Sequence, residues 1–280
     1  MKTFALYPSQ KKHKDHGFGL VELMIAIAIS LVVVLAITTL FLTQKRTYAA
    51  QDDLSRLQEN ARFMVQDISI ALRQAGYRDV LATTNFGASD VILAATSGSN
   101  TAGASGVDAS DSFTVRFFGA SKASDATQAD GSIIDCNGTA VTRDTMVVET
   151  FSIQNVSGIP SLVCLVAPAT VPTLMYPNVD SMQVLYGYDM NQDGAVDLFK
   201  PAISGADMTL VRSMVVSFVM RTPSINNPSP ATNIFNHFGI KYAPLNVAPT
   251  NDLGSVYTAP SDNRVRRQFS FSIGLRNRLD

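Results

Sequence analysis

From Phe18 to Leu42 the chain runs for 25 residues with a single charge, Glu22. A bilayer core needs about 20 apolar residues at helical rise. The run is therefore long enough to cross a membrane, and lipid then forces it to be a helix, because no water is there to pair a free backbone N–H or C=O. The preceding segment holds Lys2, Lys11, Lys12 and Lys14 against Asp15, with His13 and His16 beside them; Lys45 and Arg46 close the run on its far side. The more basic flank stays in the cytoplasm, so the bulk of the chain is expected outside. A secretory signal peptide has an apolar region of about 7–15 residues followed by a small-residue cleavage site; this run is longer and no such site follows it. Neither a signal peptide nor a plain signal anchor explains Glu22, and an acid at membrane depth marks a functional position.

The residues around Glu22 carry a pattern: a basic leader ending in Gly17, then Phe18, then "GLVELMIAI", with Glu22 fifth after the glycine. This resembles the class III signal of type IV pilins and related pseudopilins. The resemblance implies that a prepilin peptidase cuts after Gly17 on the cytoplasmic side, that Phe18 becomes the N-methylated N-terminus, and that Glu22 is the acid at mature position five. The physical logic agrees. Cleavage leaves a charged amine beside an apolar helix, and an unpaired charge away from water is expensive. Glu22 cannot easily meet its own amine at helical spacing, so a neighbouring subunit's amine is the better partner, and the pair sets register more than it adds stability.

The helix does not stop at Leu42. Leu54, Leu57, Ala61, Met64, Val65, Ile68, Ala71, Leu72 and Ala75 recur at spacings of three and four, with charged residues between them, no proline from Phe18 to Ala75, and Gly76 just after the last periodic residue. Such spacing marks one helix face, and the glycine marks its end. One helix over 18–75 is predicted, roughly 85–90 Å long, apolar all round in its first half and amphipathic in its second. Many pilins carry a kinking proline near mature position 22; Thr39 stands there instead, so no kink is carried over.

Beyond a small, polar, low-complexity stretch at 83–110, strand signals dominate: 112–119, 145–154, 161–166, 182–189, 213–222 and 267–276, rich in β-branched and aromatic residues. In the last, Phe269, Phe271, Ile273 and Leu275 alternate with Ser270, Ser272, Gly274 and Arg276. That predicts an antiparallel sheet with one covered face, the amphipathic half of the helix being its cover. The fold class is α+β, which in the family resembled is the pilin fold: leader 1–17, membrane half of the helix 18–42, amphipathic half 43–76, and a β-rich periplasmic domain 77–280. An isolated pair of cysteines in an exported chain is expected to be bridged, so Cys136, in the turn "DCNG", and Cys164, in a strand, are expected to form a disulfide worth roughly 3–4 kcal/mol in the chain-entropy account.

The remaining chemistry is sparse. "DMNQDGAVD" places Asp189, Asn191, Asp193, Gly194 and Asp197 at positions 1, 3, 5, 6 and 9 of an EF-hand loop, whose oxygen ligands suit Ca²⁺. Position 12, ordinarily a bidentate Glu, is Lys200, and an Asp-Gly hairpin turn without metal is the leading alternative. His237, the lone histidine beyond the leader, is read as a surface or packing residue, Arg264, Arg266, Arg267, Arg276 and Arg278 as a solvated face, and the proline-rich stretch 223–263 as surface decoration, with a short strand in "IFNHFGIKY". No catalytic residues are found: no nucleophile elbow and no phosphate loop occur. A net charge of −1 argues against nucleic-acid binding.

"DCNGT", "VDSMQVLYGYDMNQDGAVD" and "RRQFSFSIGLRNR" resemble stretches of PilW-type minor pilins. That resemblance implies a structural protein, not an enzyme, needing no cofactor. It would sit in the inner membrane and then in the pilus, joining other minor pilins in a tip complex that primes polymerisation. The implied partners are the major pilin, the prepilin peptidase, the inner-membrane assembly platform and a PilY-type adhesin. The alternatives are the similar J-type minor pseudopilin of type II secretion and a membrane-anchored periplasmic module that binds Ca²⁺ or another ligand.

Overall fold

The computed structural model describes residues 19–82, 92–94, 109–202, 208–225 and 234–275. One helix, α1 (Leu20–Gln74), is followed by thirteen strands among these residues. They are β1 (Ile92–Ala94), β2 (Phe113–Phe118), β3 (Ser121–Lys122), β4 (Asp125–Ala129), β5 (Met146–Val156), β6 (Ile159–Val166), β7 (Thr173–Pro177), β8 (Val179–Tyr188), β9 (Leu198–Lys200), β10 (Val211–Arg221), β11 (Ile234–Asn236), β12 (Val256–Thr258) and β13 (Arg266–Gly274). Most of the low-complexity stretch at 83–110 lies outside the described residues.

The chain divides into two compact units, 1–48 and 49–280. In the first, the helix from Leu20 is exposed on every side, as an apolar segment without a packing partner must be. Its hydroxyls turn inward to its own backbone: Ser30 donates to the Ile27 carbonyl, Thr38 to Val34, Thr39 to Ala36, Thr43 to Thr39 and Thr47 to Thr43, at 2.8–3.0 Å. A hydroxyl that back-bonds in this way carries no unmet polar group into lipid. Helix α1 continues through position 39 without a break.

In the second unit the amphipathic stripe does what its spacing requires. Leu57, Ala61, Met64, Ile68, Ala71, Leu72 and Ala75 are buried, while the charged residues between them remain outside. Gly76 ends the helix at φ 72°, a backbone that favours glycine.

The predicted single sheet is two. One is five-stranded, ordered β1-β2-β5-β6-β7; the other is four-stranded, ordered β13-β10-β8-β9, and all pairings are antiparallel. The helix stripe enters one core shared by both: Phe113, Phe117, Phe151 and Leu162 come from the first sheet, Met182, Tyr186, Met214, Val216, Phe218 and Ile273 from the second. Phe113 and Phe151 stack with ring centroids 4.9 Å apart. Ser110 and Asp111 tie the sheets together. The Asp111 N–H donates to the Met182 carbonyl at 2.8 Å, and its carboxylate accepts the Val184 N–H at 2.9 Å, just before the chain enters β2.

The expected alternation holds in β13, where Phe269, Phe271 and Ile273 join the core. The expectation of one covered face fails at the centre of this sheet: every residue of β8 is buried. The cover is the stretch read from sequence as surface decoration. Its hairpin, β11-β12, lies over the second face, with Phe235, Tyr257 and Ala259 packed on Val219. His237 is sealed there, its Nδ1 2.9 Å from Ser217 Oγ and its Nε2 3.1 Å from Ser181 Oγ. Burial holds this imidazole down to about 3, hence neutral. Gln268 donates to the carbonyls of Asn236 and His237 at 3.1 and 2.9 Å, binding the strap to β13.

Two of the arginines expected on a solvated face are instead structural. Arg266, 4% exposed, donates to Asp180 at 2.6 Å and to both oxygens of Asp262 at 2.6 and 2.7 Å. Arg221 lies 3.3 Å from the other Asp180 oxygen, and Tyr257 donates to Asp180 at 3.2 Å. Arg264 donates to the Thr222 carbonyl. Arg267 is exposed as expected, and Arg276 and Arg278 lie outside the described residues. Removing one member of such a buried cluster strands the others. Asp180→Ala is expected to cost about 3–5 kcal/mol, read as a fall in the urea midpoint, whereas Arg267→Ala should leave the midpoint almost unchanged.

Candidate functional site

Glu22 lies in the first turn of α1, where an acid complements the helix dipole. Its Oε2 is 3.4 Å from the Gly19 N–H, and the side chain otherwise stands among exposed apolar residues: Val21, Leu23, Met24 and Ile25 are each more than half exposed. Gly17 and Phe18, the expected processing residues, lie outside the described residues. The site is therefore an acid at the head of a long apolar surface that has no protein cover among the described residues.

Cys136 and Cys164 are joined in a disulfide that ties the turn after Ser132 to β6. Sequence reasoning missed what stands beside it. Glu149 occupies a core-facing position of β5, between Val147 and Phe151, is 1% exposed, and accepts the Cys136 N–H at 2.6 Å. The signal was present in "VVETF", where a charge takes the place of an apolar residue in an alternating strand. Burial raises the Glu149 carboxyl to about 7, with the Cys136 N–H pulling the other way. Glu149 and the two sulfurs converge within 4.8 Å, but sulfur in a disulfide offers no thiolate to a metal.

The four candidate Ca²⁺ ligands are brought into one turn between β8 and β9, where their oxygens are held by the protein itself. Asp189, fully buried, accepts the Asp193 and Gly194 N–H groups at 3.1 and 2.9 Å and the Arg212 guanidinium at 3.1 Å. Asp193 accepts the Ala195 N–H and the Asn191 amide; Asp197 accepts the Met190 N–H at 2.8 Å. Gly194, at φ 89°, completes the turn. A cation at Asp189 would have to displace Arg212, a competition that the Asp-Gly hairpin alternative does not face.

Two expectations follow. Glu149 has a higher pKa folded than unfolded, so the folded state binds the extra proton and the protein loses stability as pH rises from 4.5 to 7. Glu149→Gln, which keeps the acceptor, should match the native chain below pH 4 and exceed it by on the order of 3 kcal/mol at pH 8, measured by urea unfolding at both pH values. In the turn, Asp189→Asn should lower the melting temperature equally in millimolar CaCl₂ and in EDTA; a Ca²⁺-dependent rise in the native chain alone would show that these oxygens take a metal.

With this geometry in hand, comparison with known proteins is specific. Residues 150–277 match the family Type IV Pilus-assembly protein W, and residues 12–38 match the Prokaryotic N-terminal methylation motif. A type IV-like pilin from Thermus thermophilus is similar in structure, at a TM-score of 0.48 and 12% identity over 80% of this chain and 98% of that one. No curated protein matches the sequence. The methylation motif and the uncovered apolar helix fit a single-pass inner-membrane anchor carrying a pilin domain that is incorporated into a pilus. The chain is a type IV pilin-like protein with a PilW domain.

Proposed function

We propose that this chain is a minor type IV pilin that helps to initiate pilus assembly as part of a tip complex with other minor pilins. One observation carries the reading: an acid, Glu22, heads a helix whose first half is apolar and uncovered on all sides. Such a surface is stable in lipid and, outside lipid, only against other helices of its kind. A lone acid there is tolerable when a cation meets it, and the amine left by cleavage after Gly17 supplies that cation on a neighbouring subunit. The partners on this reading are other minor pilins and the major pilin, the prepilin peptidase, the assembly platform and a PilY-type adhesin. A role as the J-type pseudopilin of type II secretion uses the same helix and the same acid.

Glu22→Ala should leave the chain in the inner membrane with Phe18 as its N-terminus but out of the assembled fibre. Loss of a charge partner away from water is worth about 3–5 kcal/mol, so surface pili, counted by electron microscopy, should fall toward the number seen without the gene. Normal piliation together with failed protein secretion would move the assignment to the secretion machine. An N-terminus other than Phe18 would sink the processing scheme.

A further inference from the structure

Each of the two larger sheets has two edges, and three of the four are blunted. β1 and β9 are three residues long, and β7 is five, ends in Pro177 and carries a register shift against β6. Short strands, proline and irregular pairing are the ordinary means by which an edge is kept from pairing with another chain. β13 has none of them. It is nine residues long, without proline, and pairs with β10 from Arg266 to Gly274 without a bulge.

The direction of its free backbone groups follows from two hydrogen bonds. The Leu275 N–H donates to the Arg212 carbonyl, and the Val265 carbonyl accepts the Thr222 N–H, so the odd-numbered residues of this strand face β10. In an antiparallel ladder, successive residues turn to opposite sides. Gln268, Ser270, Ser272 and Gly274 therefore direct N–H and C=O away from the sheet, and no strand among the described residues pairs with them. Ser270, Ser272 and Gly274 are exposed, and a Cβ added at Gly274 would meet nothing within 4 Å. A row of alternating donors and acceptors at strand spacing is met fully only by another extended chain.

We propose that this edge pairs with β13 of a second copy of the chain, antiparallel, to make one continuous eight-stranded sheet. The strand is its own complement. In the register that sets Ser270 opposite Ser272, Gln268 falls opposite Gly274, and all four outward-facing residues of each copy exchange hydrogen bonds. The same register sets Phe271 opposite itself and Phe269 opposite Ile273, so the apolar row that already packs on Phe218 continues across the junction. Arg267 then meets Leu275 of the other strand and not another arginine. Two-fold pairing of one patch with itself is the commonest way in which soluble chains associate. The inference is independent of the role in pilus priming, since it concerns the chain alone.

The test uses the full-length protein, expressed in cells that lack other pilus components. Ser270→Cys/Ser272→Cys should give two symmetric cross-strand disulfides, seen as a reducible band at twice the chain mass. Ser272→Pro removes an outward N–H that no bond among the described residues uses, and should weaken self-association by about tenfold or more. Light scattering of the unmodified chain in detergent should give the dimer mass, and Ser272→Pro the monomer mass. A folded, unmodified chain that stays monomeric would overturn the proposal, as would dimers that Ser272→Pro leaves intact. Should the double-cysteine chain be captured only by a different protein when pilus components are restored, the edge would be a contact with another subunit and the self-pairing reading would fail.

Discussion

The helix face from Leu57 to Ala75 is the contact on which the β-rich domain depends. Ile68 and Leu72 are fully buried, and the side chains around them come from both sheets. Neither sheet could close its core without that stripe: the inner residues of β2, β5, β8 and β10 would face water, at roughly 25 cal/mol for each Å² of apolar surface left uncovered. The element that carries the membrane anchor is thus also the central beam of the domain. A single continuous helix joins the two requirements in one covalent piece, and the chain cannot change one without disturbing the other.

Much of this was legible in the amino-acid sequence, because periodicity reports which way a side chain faces. The stripe at spacings of three and four located α1 and its end at Gly76; alternation in "RQFSFSIGLR" assigned Phe269, Phe271 and Ile273 to the core. Periodicity does not report which strand lies beside which, so the division into two sheets was not legible. Nor does it show what covers a second face. Polar residues such as Ser181, Gln183 and Ser217 give no sign of burial by themselves, yet Ser181 and Ser217 receive His237 from the strap, and Gln183 donates to the Ala109 carbonyl. Arg264 and Arg266 misled for a related reason: a charge reads as exposed unless its partner is known, and Asp180 lies 86 positions from Arg266.

The candidate sites divide in the same way. Glu22 was legible because a charge in an apolar run breaks the pattern locally. The Asp189–Asp197 turn was legible as a loop of acids, but not the Arg212 side chain that enters it from β10. Glu149 broke an alternating pattern and was still missed, since a single acid in an eleven-residue strand looks like a surface residue until the Cys136 N–H and the disulfide are seen next to it.

The hydroxyls that back-bond along the first half of α1 have a mechanical consequence. Ser and Thr bonded to the carbonyl three or four residues earlier loosen the ladder slightly and let a helix curve. Ser30, Thr38, Thr39, Thr43 and Thr47 spread that compliance over nearly five turns, where a proline would concentrate it at one point. A helix with a hinge has two preferred shapes; a helix softened along its length has a continuum. Bent gently, it can follow the curvature of whatever bundle receives it while every backbone carbonyl keeps a donor.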